Sequence, residues 1–215
     1  MISFAIEALV RGGVTEVMLV TGGTHAGEFL RLLGNGHEHG VDRLLYAYQE
    51  RPGGIAEALG LAERFVDGDR AVVMLADNIV ERSIKPFVAN FQCQEVGARI
   101  LLAPIEEPAH LRHLGVPEFD GDSRLLRIIE KPEKPSSSFG VTGIYFYPPE
   151  VFEVIPTLEP SGRGELEISD LNNYFIQRGC MQYDVLSGFW GDAGESIEAY
   201  YAVNDFVRSH DVNRD

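Results

Sequence analysis

Asp77 closes the run Val72-Val73-Met74-Leu75-Ala76-Asp77-Asn78, in which an apolar strand delivers a carboxylate to its carboxyl end. Ligands of open α/β sheets bind outside that edge, so the carboxylate reads either as a ligand of a divalent cation or as an N-cap or turn aspartate. A second candidate, Asp192, stands among small residues in Gly188-Phe189-Trp190-Gly191-Asp192-Ala193-Gly194. Such a setting admits close approach of backbone or ligand, and it equally describes a plain turn. Two carboxylates from distant segments suit Mg²⁺, which takes one or two protein carboxylates and completes its shell with phosphate and water oxygens. In Ile129-Glu130-Lys131-Pro132 a carboxylate and an ammonium sit side by side where proline stops a strand. Lys131 is placed to meet a phosphate and Glu130 to accept sugar hydroxyls; the other reading is an exposed ion pair.

Other clusters carry less. Gly22-Gly23-Thr24-His25-Ala26-Gly27 resembles a phosphate loop between strand and helix, but it lacks the Lys and Ser/Thr of a P-loop and the glycine spacing of a dinucleotide fingerprint, so it reads as a tight turn. His37 and His39, one residue apart, have no Cys or third His beside them and read as a solvated loop. No Ser or Cys occupies a nucleophile elbow, and Cys93 and Cys180 read as packing residues.

The elements that must position these groups alternate. Apolar spacing predicts a helix from Phe4 to Arg11, stopped at Gly12-Gly13, then a strand from Glu16 to Val20 and a helix around Glu28 to Leu33. Strands at Leu44–Gln49, Ala71–Leu75 and Ala98–Ala103 then alternate with helices at Ile55–Phe65 and Ile84–Phe91. This is the grammar of an α/β layered sheet with right-handed crossovers. After about residue 105 it changes to antiparallel strands at Val116–Phe119, Leu125–Ile129 and Val141–Tyr147. Helices return at Leu166–Arg178 and Ser196–Val207, with a strand at Gln182–Leu186 between them.

A chain of 215 residues is long enough for one sizeable core, and 45% apolar with 24% charged residues is a globular composition. Eighteen basic against 33 acidic side chains give a net charge of -15, a field that repels phosphate backbones and anionic lipid, so neither nucleic acid nor a membrane is an expected partner. An anionic small molecule would need local basic groups or a bridging cation. Two cysteines far apart in sequence suit a reducing compartment, and the apolar start from Met1 to Val10 lacks the basic region of a signal peptide, so the expected location is cytoplasmic.

Seven runs, in order, resemble the sugar-phosphate nucleotidyltransferases, and most closely the glucose-1-phosphate thymidylyltransferases. They are Gln49 to Ala58 (QERPGGIAEA), Leu75 to Asn78 (LADN), Gly115 to Phe119 (GVPEF), Glu130 to Pro132 (EKP), Val141 to Tyr147 (VTGIYFY), Arg163 to Asp170 (RGELEISD) and Trp190 to Gly194 (WGDAG). The resemblance implies a Rossmann-like, mixed and mostly parallel sheet flanked by helices, with a smaller antiparallel sugar-binding part. Residues 1–215 would form one domain, 1–105 handling nucleotide and 106–215 sugar phosphate. It implies transfer of a nucleotidyl group from a nucleoside triphosphate such as dTTP to a sugar 1-phosphate such as glucose 1-phosphate, with release of pyrophosphate, by a homo-oligomer. Carried over residue by residue, Asp77 and Asp192 would hold Mg²⁺ and Lys131 the sugar phosphate; these three form the implied catalytic set. Gln49 and Gly54 would read the base, and Glu130 and Gly143 would meet the sugar.

The match begins after the family's first strand and its Gly-rich loop. The expectations are therefore a sheet with a gap or an exposed edge that invites association, and weak or absent turnover from this chain alone. A relative that binds sugar nucleotide as a regulatory or partner subunit is the alternative. Glu50, Leu114 and Ile129 also depart from the family pattern, at places that bear on base and sugar preference.

Overall fold

A computed structural model describes residues 1–214, with every side chain in that range except that of His25. The chain opens with α1 (Ile2–Arg11), β1 (Glu16–Gly22), α2 (Ala26–Leu33), β2 (Arg43–Gln49), α3 (Ile55–Gly60), α4 (Glu63–Val66) and β3 (Ala71–Met74). It continues through β4 (Asn78–Val80), α5 (Lys85–Cys93), β5 (Ala98–Pro104), β6 (Gly115–Phe119), β7 (Leu125–Glu130) and β8 (Phe139–Tyr147). It ends with α6 (Val151–Val154), α7 (Ile168–Gln177), β9 (Met181–Val185), β10 (Trp190–Asp192) and α8 (Ile197–Ser209). The α/β architecture expected from the sequence is present.

The predicted helix from Ile55 to Phe65 is two helices. At Leu61 and Ala62 the N–H groups donate to Ala58 and Leu59, three residues back, and this tightening after Gly60 ends the first α-helix. The sequence reading had no strands at β4 and β10, each three residues long.

Four strands lie in the order β3-β8-β5-β9. β3 and β5 each run antiparallel to β8, and β5 runs parallel to β9, so β8 alone is reversed in that sheet. β1 and β2 form a separate parallel pair, in register from Glu16–Arg43 to Gly22–Gln49. Arg43, at the start of β2, lies 5.0 Å over the ring of Phe65, just ahead of β3.

Strand alternation sorts the core into two layers. Val17, Leu19, Val72 and Met74 pack with Ile6 and Leu9 of α1 and with Val88 and Phe91 of α5. On the other face Val73 joins Ile100, Tyr145 and Tyr147 against α3 and α7. Both faces of the sheet are thus covered, as continuous apolar strands require. Among the described residues no strand pairs with the second edge of β1 or of β3, and a cleft of about 1120 Å³ lies between those edges.

Candidate active site

Asp77 and Asp192 are brought together by the ladder between β4 and β10. These strands pair antiparallel with Asp192 opposite Asn78, Gly191 opposite Ile79 and Trp190 opposite Val80. The Ala193 N–H donates to the Asp77 carbonyl at 3.0 Å, extending the contact by one residue. A methyl group on Gly194 would collide with the Asp77 carboxylate and sit 3.4 Å from Oδ1 of Asp192, so the two carboxylates bracket a glycine whose bare Cα gives them room.

Asn78, 1% exposed, is the hub of this arrangement. Its Oδ1 accepts the Gly143 N–H at 2.8 Å and the Trp190 indole N–H at 2.8 Å, and its Nδ2 donates to Asp77 Oδ1 at 3.1 Å. One side chain thereby ties β8, β10 and the first carboxylate into a single unit. Glu81 braces the same ladder from behind, accepting the Phe189 N–H at 2.9 Å and the Arg214 guanidinium. The backbone hydrogen bond and Arg214 hold its carboxyl below the usual range.

Burial pushes the Asp192 carboxyl above the usual carboxylate range, and the facing Asp77 pushes it further. The Gly194 N–H, which donates to Oδ1 at 2.9 Å, pulls it back, and Glu195 and His110 act more weakly in opposite senses. Two facing carboxylates at the edge of a sheet fit a hard divalent cation, which offsets the repulsion between them. Among the described residues no third His, Cys, Asp or Glu completes a cluster there, so further ligands would be water, main-chain or substrate oxygens.

Gln49 ends β2, and its Nε2 donates to the Gly54 carbonyl at 3.2 Å and to Glu57 Oε1 at 3.1 Å. Gly54 caps α3 with φ +96°, and a Cβ there would sit 2.9 Å from the Leu166 nitrogen and closer still to its carbonyl oxygen. Only glycine meets both demands. Glu130 ends β7, accepts the Ser169 hydroxyl and lies 3.7 Å from Arg163. Lys131 follows at φ +45°, its N–H bonded to the Leu114 carbonyl at 3.0 Å. Gln49, Gly54, Glu130 and Lys131 all line the large cleft, as does Ala76, the neighbour of Asp77. Gly143 is buried, with its N–H given to Asn78 and its carbonyl accepting from Leu75 at 2.8 Å.

Three residues without an assigned role in the sequence reading stand out. Arg163 lies 3.7, 3.6 and 2.8 Å from the carboxylates of Glu130, Glu165 and Glu167, and it lines the cleft. The buried Tyr145 phenol is held protonated by burial first and then by the carboxylates of Glu130, Asp192 and Asp77. It therefore stands in the field of both halves of the site. Arg163, Tyr145 and the hub Asn78 all fall inside runs that resemble the family, which was the available signal. The two histidine positions of the solvated loop, His37 and His39, lie in a short 3-10 turn and are not among the residues that line the cleft.

The model of the nucleotidyl transferase family matches residues 1–210. The chain belongs to that family. It is 37% identical over 214 residues to a glucose-1-phosphate thymidylyltransferase of Actinoplanes sp., covering 98% of this chain and 69% of that protein. It is 35% identical to the low-salt glycan biosynthesis nucleotidyltransferase Agl11 of Haloferax volcanii, covering 90% of this chain and 54% of that protein. Against a solved Bacillus anthracis protein assigned as a glucose-1-phosphate thymidylyltransferase, in complex with a sucrose, it shows 42% identity and a TM-score of 0.85. That match covers 95% of this chain and 82% of the other. Several of these family members are longer, and the chain spans about half the length of the Haloferax protein. Among the described residues no helix is long and apolar enough to cross a membrane.

Proposed function

We propose that the chain transfers a nucleotidyl group from dTTP to glucose 1-phosphate. An oxygen of the sugar phosphate attacks the α-phosphorus in line, a new phosphorus–oxygen bond forms, and the bond to pyrophosphate breaks. The observation that carries this reading is the Asp77–Asp192 pair, which with Glu130 acts on the one buried Tyr145 phenol, while Lys131 and Arg163 line the cleft together with Glu130. Reactions of this kind need little covalent participation by the protein, so catalysis rests on positioning and on neutralising charge.

Asp77 and Asp192 would hold Mg²⁺, which would supply positive charge to offset that of the phosphate groups. Lys131 binds the sugar phosphate as a point charge, and Arg163 adds a planar donor set beside it. Glu130, oriented by Ser169, accepts sugar hydroxyls, and Gly143, whose bare Cα makes room for Leu75 and Asn78, contributes to the sugar side through the Asn78 hydrogen bond that fixes β8 there. Gln49, oriented by Glu57, and the main chain at Gly54 read the base. Residues 1–105 then contribute the nucleotide side of the site and 106–215 the sugar-phosphate side. The free cysteines Cys93 and Cys180 support a cytoplasmic setting.

Calorimetric titration with dTDP-glucose, with and without Mg²⁺, tests the reading, alongside Asp77→Ala and Asp192→Ala. Binding that strengthens with Mg²⁺ and weakens in both variants is expected, followed by pyrophosphate release from dTTP and glucose 1-phosphate. A folded wild-type chain that binds no sugar nucleotide would overturn it.

A further inference from the structure

One pair of side chains beside the carboxylates has no part in the proposed transfer. His110 Nε2 is buried and lies 2.5 Å from Glu195 Oε2, a close pair that lacks the alignment of a hydrogen bond. The His110 ring also lies against Trp190, with centroids 6.0 Å apart and planes 13° from parallel, an offset stack. Trp190 is thereby held twice, at its indole N–H by Asn78 Oδ1 at 2.8 Å and across its ring face by His110. Both His110 and Glu195 reach Asp192 with their charge, in opposite senses.

The turn that carries Asp192 needs such a tie. β10 has three residues, and its last bond to the ladder is the Ala193 N–H on the Asp77 carbonyl. Among the described residues no bond between main-chain groups then holds Gly194 or Glu195 before α8 begins behind Ser196, and the Gly194 N–H goes to Asp192 itself. Glu195 is the residue at which this stretch is fastened. A tie positions its residue only if its other end is fixed, and His110 is fixed. It opens the 3-10 turn His110–His113, and its N–H donates to the Glu107 carbonyl at 3.0 Å. Leu111 and Leu114 behind it are buried, the Leu114 carbonyl accepts the Lys131 N–H at 3.0 Å, and Gly115 pairs with Glu130 in the β6–β7 ladder. A short strap therefore runs from the two aspartates to the phosphate-binding lysine.

We infer that His110 and Glu195 are positioning residues: their pair, with the stack on Trp190, fastens the Asp192 turn to the strap that ends at Lys131, and so sets the affinity of the Asp77–Asp192 pair for a divalent cation. The inference rests on the reading of those two aspartates as cation ligands. Groups that orient the ligands of a metal carry roughly 10- to 100-fold in its affinity. A role through charge alone has the opposite sign at one partner, because an imidazolium opposes a nearby cation and its removal would tighten binding. Fastening makes the loss of either partner weaken it.

Calorimetric titration of the intact chain with Mn²⁺ reads the effect, with circular dichroism melts to show that each variant is folded. His110→Ala and Glu195→Ala should each weaken Mn²⁺ binding about tenfold. The double variant should bind within about twofold of the weaker single one, because both substitutions remove the same tie. Glu195→Gln keeps an oxygen facing the imidazole and should bind at least about threefold more tightly than Glu195→Ala. His110→Phe keeps a ring over Trp190 and removes the nitrogens; it should also weaken Mn²⁺ binding, and it carries the test if His110→Ala does not fold. Unchanged or tighter binding in either His110 variant, additive losses in the double variant, or a Glu195→Gln chain no better than Glu195→Ala would overturn the inference. A folded wild-type chain that binds no Mn²⁺ would fail one step earlier, at the reading of Asp77 and Asp192, and would take the inference with it.

Discussion

Removing the amide of Asn78 is the sharpest test of how the carboxylate pair is held. Its Oδ1 accepts two donors, the Gly143 N–H and the Trp190 indole N–H, each at 2.8 Å. Asn78→Ala strands both, and a buried donor left without an acceptor costs about 1–3 kcal/mol. Gly143 is fully enclosed and takes the upper part of that range, whereas the indole edge is half-exposed and takes the lower part. The sum is a loss of about 3–4 kcal/mol, with both ends of the sum set by that range. Trp190 is the sole tryptophan, so urea unfolding followed by its fluorescence and by circular dichroism reads the hub and the fold separately. Asn78→Asp keeps an acceptor for both donors but places a further charge beside Asp77. Its penalty should shrink with added salt, while that of Asn78→Ala should not. If Asn78→Ala unfolds within about 0.5 kcal/mol of the parent, the donors find other acceptors and the hub reasoning fails.

Three further outcomes follow from the same geometry. Asp192→Asn should stabilise the cation-free chain at neutral pH, because it removes a carboxylate that burial and Asp77 already oppose, and it should weaken Mn²⁺ binding about tenfold or more; thermal melts and titration calorimetry read the two effects. Gly54→Ala should lower stability by about 3 kcal/mol or more, since a Cβ at φ +96° meets the Leu166 main chain, and a melting curve that does not move would count against that contact. Glu81 has a folded-state pKa depressed below 4.5, so its contribution to stability is complete above that value and is lost as pH falls through the lower folded value. Glu81→Gln should flatten the acid limb of a stability-against-pH curve, and an unchanged limb would show that the Phe189 N–H and Arg214 do not hold the carboxylate.

Much of this fold was legible because each long strand carries its own apolar run. Glu16–Gly22, Ala98–Pro104 and Phe139–Tyr147 lie within a few residues of where periodicity and turn residues put them. The split at Gly60 was not legible, because apolar spacing runs on through Leu61 and Ala62 into Phe65, and only the hydrogen bonding shows the tightened turn. Nor were β4 and β10 legible: three residues carry no period, and what makes them strands is their pairing with each other. The same limit applies to the site. Asp77 announced itself by following an apolar strand. That Asn78 holds it, that Tyr145 lies in the field of three carboxylates, and that Arg163 joins Glu130 are facts of long-range packing that no local pattern records.

The ladder between β4 and β10 also sets the order in which the molecule can assemble. Asn78 and Trp190 are 112 residues apart, and Asn213 at the far end of the chain donates to the Phe4 carbonyl, 209 residues away. Closing loops of that length costs entropy before any contact repays it, so topologies built on them form slowly. The parallel pair of β1 and β2 and the antiparallel pair of β6 and β7 need only neighbouring chain and can form early. The two carboxylates meet only after Trp190 has folded back onto β4. During synthesis Asp77 therefore waits for Trp190 and its neighbours to leave the ribosome, and a chain stalled before Trp190 would carry Asp77 with no partner across from it.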